Sequence, residues 1–427
     1  MQEKKQSLVP ELRFPGFEGE WPIQPLSKFL HEHKTKSDGK CRVHSVSVSK
    51  GVVDQIEYLG RSFAASDTSK YNLAKPNDII YTKSPTGSFP YGIVKMNKNP
   101  YNVIVSPLYG VYSPTNKYIG YIIDSFFESP ERTNTYLSTL VQKGAKNTIQ
   151  ITNSTFISKN VCFPTDEAEQ QKIAECLSSV DHLIQEETDQ LQALKDHKKG
   201  LIQQLFPQEG ETTPKLRFPG VKGEWEEKKF NDIFSLLSNN TCSRAEMDNN
   251  IGVALNVHYG DILTKYNEIL DVQKTNIPYV TDNDLLVKYK DSFLQDGDII
   301  ISDTAEDSTV GKCTEIQNHQ EIIILSGLHT IPVRPQRKFA KGYLGYFLNS
   351  ESYHNQLLPL MQGAKVSSIS RTAIKKTEIF FPSLPEQQKI AECLSSLDEG
   401  IAVQQQKVEA LKEHKKGLMQ KLFPTIN

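Results

Sequence analysis

The sequence predicts an α/β protein in which two mixed α/β domains alternate with two long helices. Two observations predict this architecture. The segment EQQKIAECLSS occurs at residues 169–179 and again at residues 386–396, and both times it opens a long amphipathic stretch. A second repeat, LRFPG followed closely by GEW, occurs at residues 12–21 and 216–225, ahead of two segments that differ from each other. Repeats in this order indicate duplication of a unit made of one variable domain and one conserved helix.

The repeats divide the chain into four consecutive segments. Each variable segment lies between an LRFPG lead-in and an EQQKIAECLSS helix. The predicted segments are residues 1–165 (first variable domain), 166–209 (first conserved long helix), 210–382 (second variable domain) and 383–427 (second conserved long helix).

Each conserved segment carries the heptad pattern of a coiled coil. Counting alternately four and three residues onward from Ile173 gives ten positions in the first segment, and counting from Ile390 gives ten in the second. In each segment eight of the ten positions carry an apolar side chain. Such a stripe is narrower than the face that a helix presents to a globular core, so the two helices are predicted to pair with each other. The alternative, in which each helix packs only on its own domain, stays open here. The seam residues are Ile173, Leu177, Val180, Ile184, Glu187, Leu191, Leu194, Leu201, Leu205, Ile390, Leu394, Leu397, Ile401, Gln404, Val408, Leu411, Leu418 and Leu422.

Both long helices have start and stop signals. Each helix opens with the spacing of an N-cap residue and its capping-box partner, which are Asp166 with Glu169 in the first and Ser383 with Glu386 in the second. Both segments end at Phe-Pro, where proline cannot continue a helix.

The two variable segments share a skeleton. Asp78-Ile79-Ile80 matches Asp298-Ile299-Ile300, and a polar loop rich in turn residues follows each. Further along, QKGAK at 142–146 matches QGAK at 362–365, each followed by small polar residues. Divergent loops on a duplicated scaffold favour two sites of the same kind that bind different targets.

The composition indicates a folded protein with unevenly distributed charge. Of the 427 residues 23% are charged and 37% are hydrophobic. The first variable domain has 20 Lys and Arg against 13 Asp and Glu, which is compatible with nucleic acid, whereas the second has 19 against 22. No apolar run approaches the ~20 residues of a membrane span, and the N-terminus lacks a signal peptide. The six cysteines form no CxxC and predict neither a disulfide framework nor a metal site. We therefore expect a cytoplasmic protein.

No catalytic constellation is present in the sequence. It contains neither a GxGxxG segment nor a GxxxxGK segment that could cradle a nucleotide. We therefore predict a binding protein with no catalytic residue, no metal ligand and no cofactor of its own.

The repeated EQQKIAE helices, the LRFPG…GEW lead-ins and the two divergent domains resemble the specificity subunit of type I restriction-modification systems. The resemblance covers essentially the whole chain. It implies that the variable domains are target-recognition domains, each of which reads one half of a split, asymmetric site in double-stranded DNA. It also implies that the helices form an antiparallel coiled coil, with pseudo-twofold symmetry, that holds the domains apart.

The resemblance further implies partners in phage defence. Two methylation subunits would bind the chain and methylate adenine N6 with S-adenosylmethionine. Restriction subunits would add cleavage that depends on ATP and Mg²⁺. The present chain would be a non-catalytic subunit of that endonuclease and methyltransferase complex.

The order of the elements along the chain also favours an antiparallel pair. Each helix begins beside its own variable domain, so antiparallel pairing places the domains at opposite ends. In that register Lys198 lies near Asp398, and Lys415 lies near Asp181.

The candidate DNA-binding residues lie in the matched loops. Lysine and arginine can hold phosphates or guanine edges, and asparagine can pair with adenine. The candidates are Lys83, Ser84, Thr86, Ser88, Lys143, Lys146, Asn147, Ser302, Thr304, Ser308, Lys312, Lys365, Ser367, Ser368 and Arg371. Two alternatives remain open: a tandem-repeat protein-interaction scaffold without DNA specificity, and a self-sufficient modification enzyme with an unrecognised active site.

Overall fold

The computed structural model describes residues 8–37, 39–143, 149–363 and 365–424. The chain divides into two compact units. The first unit comprises residues up to 188 together with those from 406 onward, and the second comprises residues 189–405. Each unit therefore contains one variable segment and half of each long helix.

In its described residues, the first unit is built from short strands and α-helices, the last of which is the first long helix. Its strands are β1 (Ile23–Pro25), β2 (Leu30–Glu32), β3 (His44–Ser47), β4 (Gly51–Asp54), β5 (Asn72–Ala74), β6 (Ile79–Thr82), β7 (Ile93–Met96), β8 (Val103–Val105), β9 (Gly110–Pro114), β10 (Gln142–Lys143), β11 (Ile149–Gln150) and β12 (Asn160–Cys162). Its helices are α1 (Gln55–Leu59), α2 (Lys117–Glu128), α3 (Pro130–Ser138), α4 (Asn153–Phe156) and α5 (Glu167–Leu205), of which α5 continues into the second unit.

The second unit repeats this plan with additional strands. Its strands are β13 (Glu226–Lys229), β14 (Phe234–Leu236), β15 (Met247–Asp248), β16 (Ala254–Val257), β17 (Ile269–Asp271), β18 (Tyr279–Val280), β19 (Ile299–Ser302), β20 (Thr304–Ala305), β21 (Cys313–Gln317), β22 (Ile324–Ser326), β23 (Thr330–Pro335), β24 (Ser367–Ser368) and β25 (Glu378–Phe381). Its helices are α6 (Phe230–Ile233), α7 (Tyr259–Thr264), α8 (Asp284–Lys288), α9 (Tyr343–Leu348), α10 (Glu351–Leu357), α11 (Arg371–Ile374) and α12 (Leu384–Leu422), of which α12 continues into the first unit.

The central sheets of the two units have the same topology. The first has the order β2-β9-β6-β7 and the second has the order β14-β23-β19-β21, with β17 added at the β21 edge. All four residues of β6 and all four of β19 are buried. The aspartate before each of these strands holds the preceding turn, because Asp78 accepts from the Lys75 N–H at 2.7 Å and Asp298 accepts from the Gln295 N–H at 2.8 Å. The predicted common skeleton is confirmed.

Within each unit the halves of the two long helices pair antiparallel. In the first unit the Lys415 ammonium lies 2.6 Å from Asp181 Oδ1, and in the second the Lys198 ammonium lies 2.6 Å from Asp398 Oδ1. Both ion pairs were expected from the antiparallel register. Every predicted seam residue is buried or half-buried. The predicted fold class, two mixed α/β domains with two long antiparallel helices, is therefore confirmed.

The two repeated motifs contact each other. Arg13 of the first lead-in donates to both carboxylate oxygens of Glu169, at 2.7 and 3.0 Å, and Trp21 Nε1 donates to the same carboxylate at 3.2 Å. In the second unit Arg217 makes the same two-pronged contact with Glu386, at 2.9 and 2.6 Å. These contacts revise the capping-box interpretation: both glutamates bind the lead-in arginines. Asp166 does cap the first long helix, because its Oδ1 accepts from the Ala168 N–H at 2.7 Å.

Candidate nucleic-acid interface

In the first unit four candidate residues lie on the hairpin that joins β6 to β7. Lys83, Ser84, Thr86 and Ser88 are all exposed. The hairpin closes in a tight turn, in which Thr86 and Phe89 exchange backbone hydrogen bonds at 3.1 and 2.9 Å. Desolvation lowers the pKa of Lys83, and the carboxylate of Glu32 partly offsets this effect. The structure thus presents these four side chains together on one projecting loop.

Gly92 fixes the base of this hairpin. Its φ is +106°, and a Cβ built at this position would lie 1.9 Å from the Thr82 carbonyl oxygen. We expect Gly92→Ala to lower the free energy of unfolding by about 1–3 kcal/mol, the cost of a strained backbone conformation. Gly87→Asn is the matched control, because Gly87 has open space around it and asparagine tolerates a left-handed conformation. Equal melting temperatures for the two variants would contradict this account.

In the second unit the structure brings the two predicted loops together. β20 pairs antiparallel with β24, which places Thr304 opposite Ser368 and Ala305 opposite Ser367. Backbone hydrogen bonds extend this two-stranded ribbon of β20 and β24 on both sides. The Ile369 N–H donates to the Asp303 carbonyl at 2.8 Å, and the Ser368 N–H donates to the Gln362 carbonyl at 2.8 Å. Segments about sixty residues apart in the sequence therefore form one surface.

His329 belongs to this surface, although sequence reasoning missed it. Its Nδ1 lies 3.3 Å from Asp303 Oδ1 and 3.5 Å from Thr304 Oγ1, and the side chain is 47% exposed. Its ring also packs edge-on against Tyr259, with centroids 5.2 Å apart. No sequence pattern marks His329, because the turn between β22 and β23 brings it beside the ribbon.

Three candidates in the second unit form hydrogen bonds within that unit. Ser302 is fully buried, and its hydroxyl donates to the Thr304 carbonyl at 2.9 Å, so we withdraw it as a DNA contact. The Arg371 guanidinium donates to the Leu237 carbonyl and to Asn239 Oδ1, at 2.9 and 2.7 Å. Lys312 donates to the Leu263 carbonyl at 3.2 Å, and burial lowers the pKa of its ammonium.

The other candidates fall into two groups. Ser308, Lys365 and Ser368 are exposed, and Thr304 and Ser367 are half-buried on the ribbon. In the first unit Lys143 lies on β10, which pairs with β11, but its side chain is not described. Lys146 and Asn147 lie outside the described residues.

The two units present different chemistry on equivalent loops. The loop after β6 begins with Lys83, whereas the loop after β19 carries Asp303, Glu306 and Asp307. A lysine can bind a phosphate or a guanine edge, whereas a carboxylate repels phosphates and accepts hydrogen bonds from base amino groups such as cytosine N4. The two loops therefore differ in charge and in hydrogen-bonding capacity.

The described part of the chain contains no group of three or more His, Cys, Asp or Glu side chains arranged to hold a metal ion. None of its helices has the length and apolarity needed to cross a membrane.

The family model for the type I restriction modification DNA specificity domain matches residues 47–196 and 222–413, which together are well over half of the chain. The chain belongs to this family. The two matches coincide with the two repeats, so the chain carries two specificity domains in tandem.

Relatives in this family are specificity subunits. The chain is 28% identical over 219 residues to the putative type I restriction enzyme MjaX specificity subunit of Methanocaldococcus jannaschii, and this alignment covers 50% of the chain and 48% of the relative. It is 27% identical over 277 residues to the MjaVIII specificity subunit of the same organism, with 62% of each chain covered. The alignments thus span about half to three fifths of these relatives.

Two solved structures from type I restriction-modification systems share the fold. The crystal structure of the type I restriction-modification S subunit from M. genitalium aligns with a TM-score of 0.54 at 14% identity, covering 98% of the present chain and 100% of that chain. A structure concerned with assembly and conformational transition of the type I system aligns with the same TM-score at 14% identity, covering 94% and 97%.

Proposed function

We propose that this chain is the sequence-reading subunit of a type I restriction-modification complex. Each specificity domain would read one half of a split, asymmetric site in double-stranded DNA, and the long helices would connect the two readers. The observation that carries the proposal is the pair of equivalent loops, one on the β6–β7 hairpin and one on the β20–β24 ribbon, which differ in charge on a common scaffold.

The chemistry would reside in partner subunits of a cytoplasmic complex. Two methylation subunits would supply S-adenosylmethionine and methylate adenine N6, and restriction subunits would supply ATP-dependent and Mg²⁺-dependent cleavage. The present chain would position them on DNA without a catalytic residue of its own. The absence of a nucleotide-binding glycine loop from the sequence supports this division of roles.

The proposal predicts that the two half-sites can be altered separately. In the assembled complex, Lys83→Ala should change methylation at the first half-site only, and Lys365→Ala should change it at the second only. Loss of a base contact costs about 1–3 kcal/mol, so discrimination should fall about 10- to 100-fold at one half-site. Methylation sequencing of a random-site library would measure both half-sites at once.

Lys376→Ala is the matched control, because Lys376 is an exposed lysine of the second unit that belongs to neither strand of the β20–β24 ribbon. DNA binding by the assembled complex should also weaken steeply as salt rises. If the DNA affinity of the complex changes neither with salt concentration nor with either loop substitution, the protein-interaction scaffold is favoured. Binding of S-adenosylmethionine by the purified chain alone would favour the self-sufficient enzyme.

A further inference from the structure

The first unit contains a cavity of about 920 Å³, and neither of the two proposed base-reading loops contributes to its lining. Its walls come from the β3–β4 turn, β7, the junction of α2 and α3, and the halves of the two long helices that belong to this unit. All the lining residues lie within the first unit. The volume is in the range of sites that bind small molecules.

Cations outnumber acids in the cavity lining. It carries six lysines and one arginine against four acidic residues. Three of the acids are already used in ion pairs: Lys98 binds Asp124 and Asp181, and Lys415 binds Asp181 and Glu128. Lys412 and Lys416 pair with acids of their own helix outside the lining. Among the described residues, Lys50 and Lys95 are therefore the lining lysines that form no ion pair.

Lys95 is the side chain that makes this a candidate binding site. It is only 8% exposed and lines the cavity. Its neighbours on β7, Val94 and Met96, pack into the main core of the unit, so strand alternation directs Lys95 to the opposite face. Among the described residues no carboxylate forms an ion pair with Lys95 and no hydrogen bond to its ammonium is present. The unpaired ammonium at the cavity wall has three N–H donors available for an anionic ligand.

The charge of the cavity is not duplicated in the second unit. In the first sheet, Lys95 of β7 lies opposite Ile80 of β6. Ile300 of β19 is the equivalent of Ile80, and the residue opposite it is Thr314, which is fully buried. A role performed once by each unit would need equivalent side chains in both units. The lysine at the position of Lys95 is therefore a feature of the first unit that the second unit does not repeat.

We propose that this cavity is a phosphate-binding site, in which Lys95 and Lys50 contact the phosphate oxygens. Lys50 is exposed on the β3–β4 turn at the cavity wall, where it can close over a ligand held by Lys95. Lysine binds phosphate as a point charge through three ammonium donors. The phosphate belongs either to a free phosphorylated compound or to the DNA backbone. Phosphate binding at this site does not require that the domain recognises a particular base sequence.

Calorimetric titration of the full-length chain with sodium tripolyphosphate tests the site. Lys95→Met keeps the length and packing of the side chain but removes the charge, and it should weaken binding about tenfold or more, because a hydrogen bond to a charged group contributes about 1.5–3 kcal/mol. Lys50→Gln, an exposed substitution that does not threaten folding, should weaken binding in the same direction. Lys376→Met is the control and should bind as the unaltered chain does.

A second measurement separates the two sources of phosphate. If the occupant is the DNA backbone, tripolyphosphate should compete with duplex DNA, and Lys95→Met should reduce the salt slope of DNA binding by about one. If it is a free phosphorylated compound, DNA affinity and salt slope should be unchanged while tripolyphosphate binding is lost. Absence of tripolyphosphate binding by the unaltered chain, or equal binding by folded Lys95→Met and Lys50→Gln variants, would overturn the proposal.

Discussion

A shortened chain that ends after Pro207 is expected to form a symmetric dimer and to direct methylation to a palindromic site. In the full chain, the core of the first unit includes Met419 and Leu422 from the end of α12 and Phe423, the residue that follows this helix. Removing α12 would uncover the seam residues Ile173 and Leu177, which belong to the same core. The shortened chain therefore needs a replacement for this helix.

The end of α5 can provide that replacement because it is a near copy of the end of α12. Leu205 and Phe206 are the repeat equivalents of Leu422 and Phe423, and Lys198 is the equivalent of Lys415. In a dimer, Lys198 of one copy would contact Asp181 of the other, and the reverse contact would form as well. An interface in which both copies contribute the same surface has twofold symmetry. Two identical readers would then select two identical half-sites.

Light scattering gives the mass of the shortened chain, and methylation sequencing with the methylation subunit gives its site. The matched control is the same shortened chain with Leu205→Asp and Phe206→Asp, which should fail to dimerise because charged side chains would replace the apolar contact. A monomeric shortened chain would disprove the packing argument. A dimer that methylates only an asymmetric site would disprove the assignment of one reader to each unit.

Loss of the Glu169 carboxylate is expected to destabilise the first unit by about 3–5 kcal/mol, the usual cost of removing one partner of a buried ion pair. Glu169 is 2% exposed and binds both Arg13 and Trp21. Glu169→Ala would leave a guanidinium and an indole N–H without their acceptor. A loss of this size should lower the melting temperature of the unit by roughly 6–20 °C.

Glu167→Ala is the control for this prediction. Glu167 lies in the same helical turn but is exposed, so its substitution should cost less than about 1 kcal/mol through the helix dipole. Removing Arg13 as well as Glu169 should recover part of the lost stability, because the unpaired cation disappears. A melting temperature for Glu169→Ala no lower than that for Glu167→Ala would show that the ion pair contributes no stability.

The sequence determined the architecture of this protein because its signals are local and repeated. The heptad spacing from Ile173 and from Ile390 needs only neighbouring turns of one helix, and it predicted both the seam and the Lys415–Asp181 ion pair. The duplicated motifs defined the two halves, since a copied segment folds in the same way twice. Alignment of the two variable segments predicts the polar loops after β6 and β19 as equivalent positions.

Only the tertiary structure decided which side chains in those loops face solvent and what lies beside them. Ser302 and Thr304 are two residues apart in similar polar surroundings, yet the first is fully buried and the second lies on the ribbon. His329 reaches Asp303, and Arg13 reaches Glu169, across long separations in the chain. In the sequence, nothing distinguishes Lys95 from other lysines on strands, whereas in the structure it is largely buried at the wall of a cavity. Burial and partners depend on contacts between distant segments, and periodicity along one segment carries no information about such contacts.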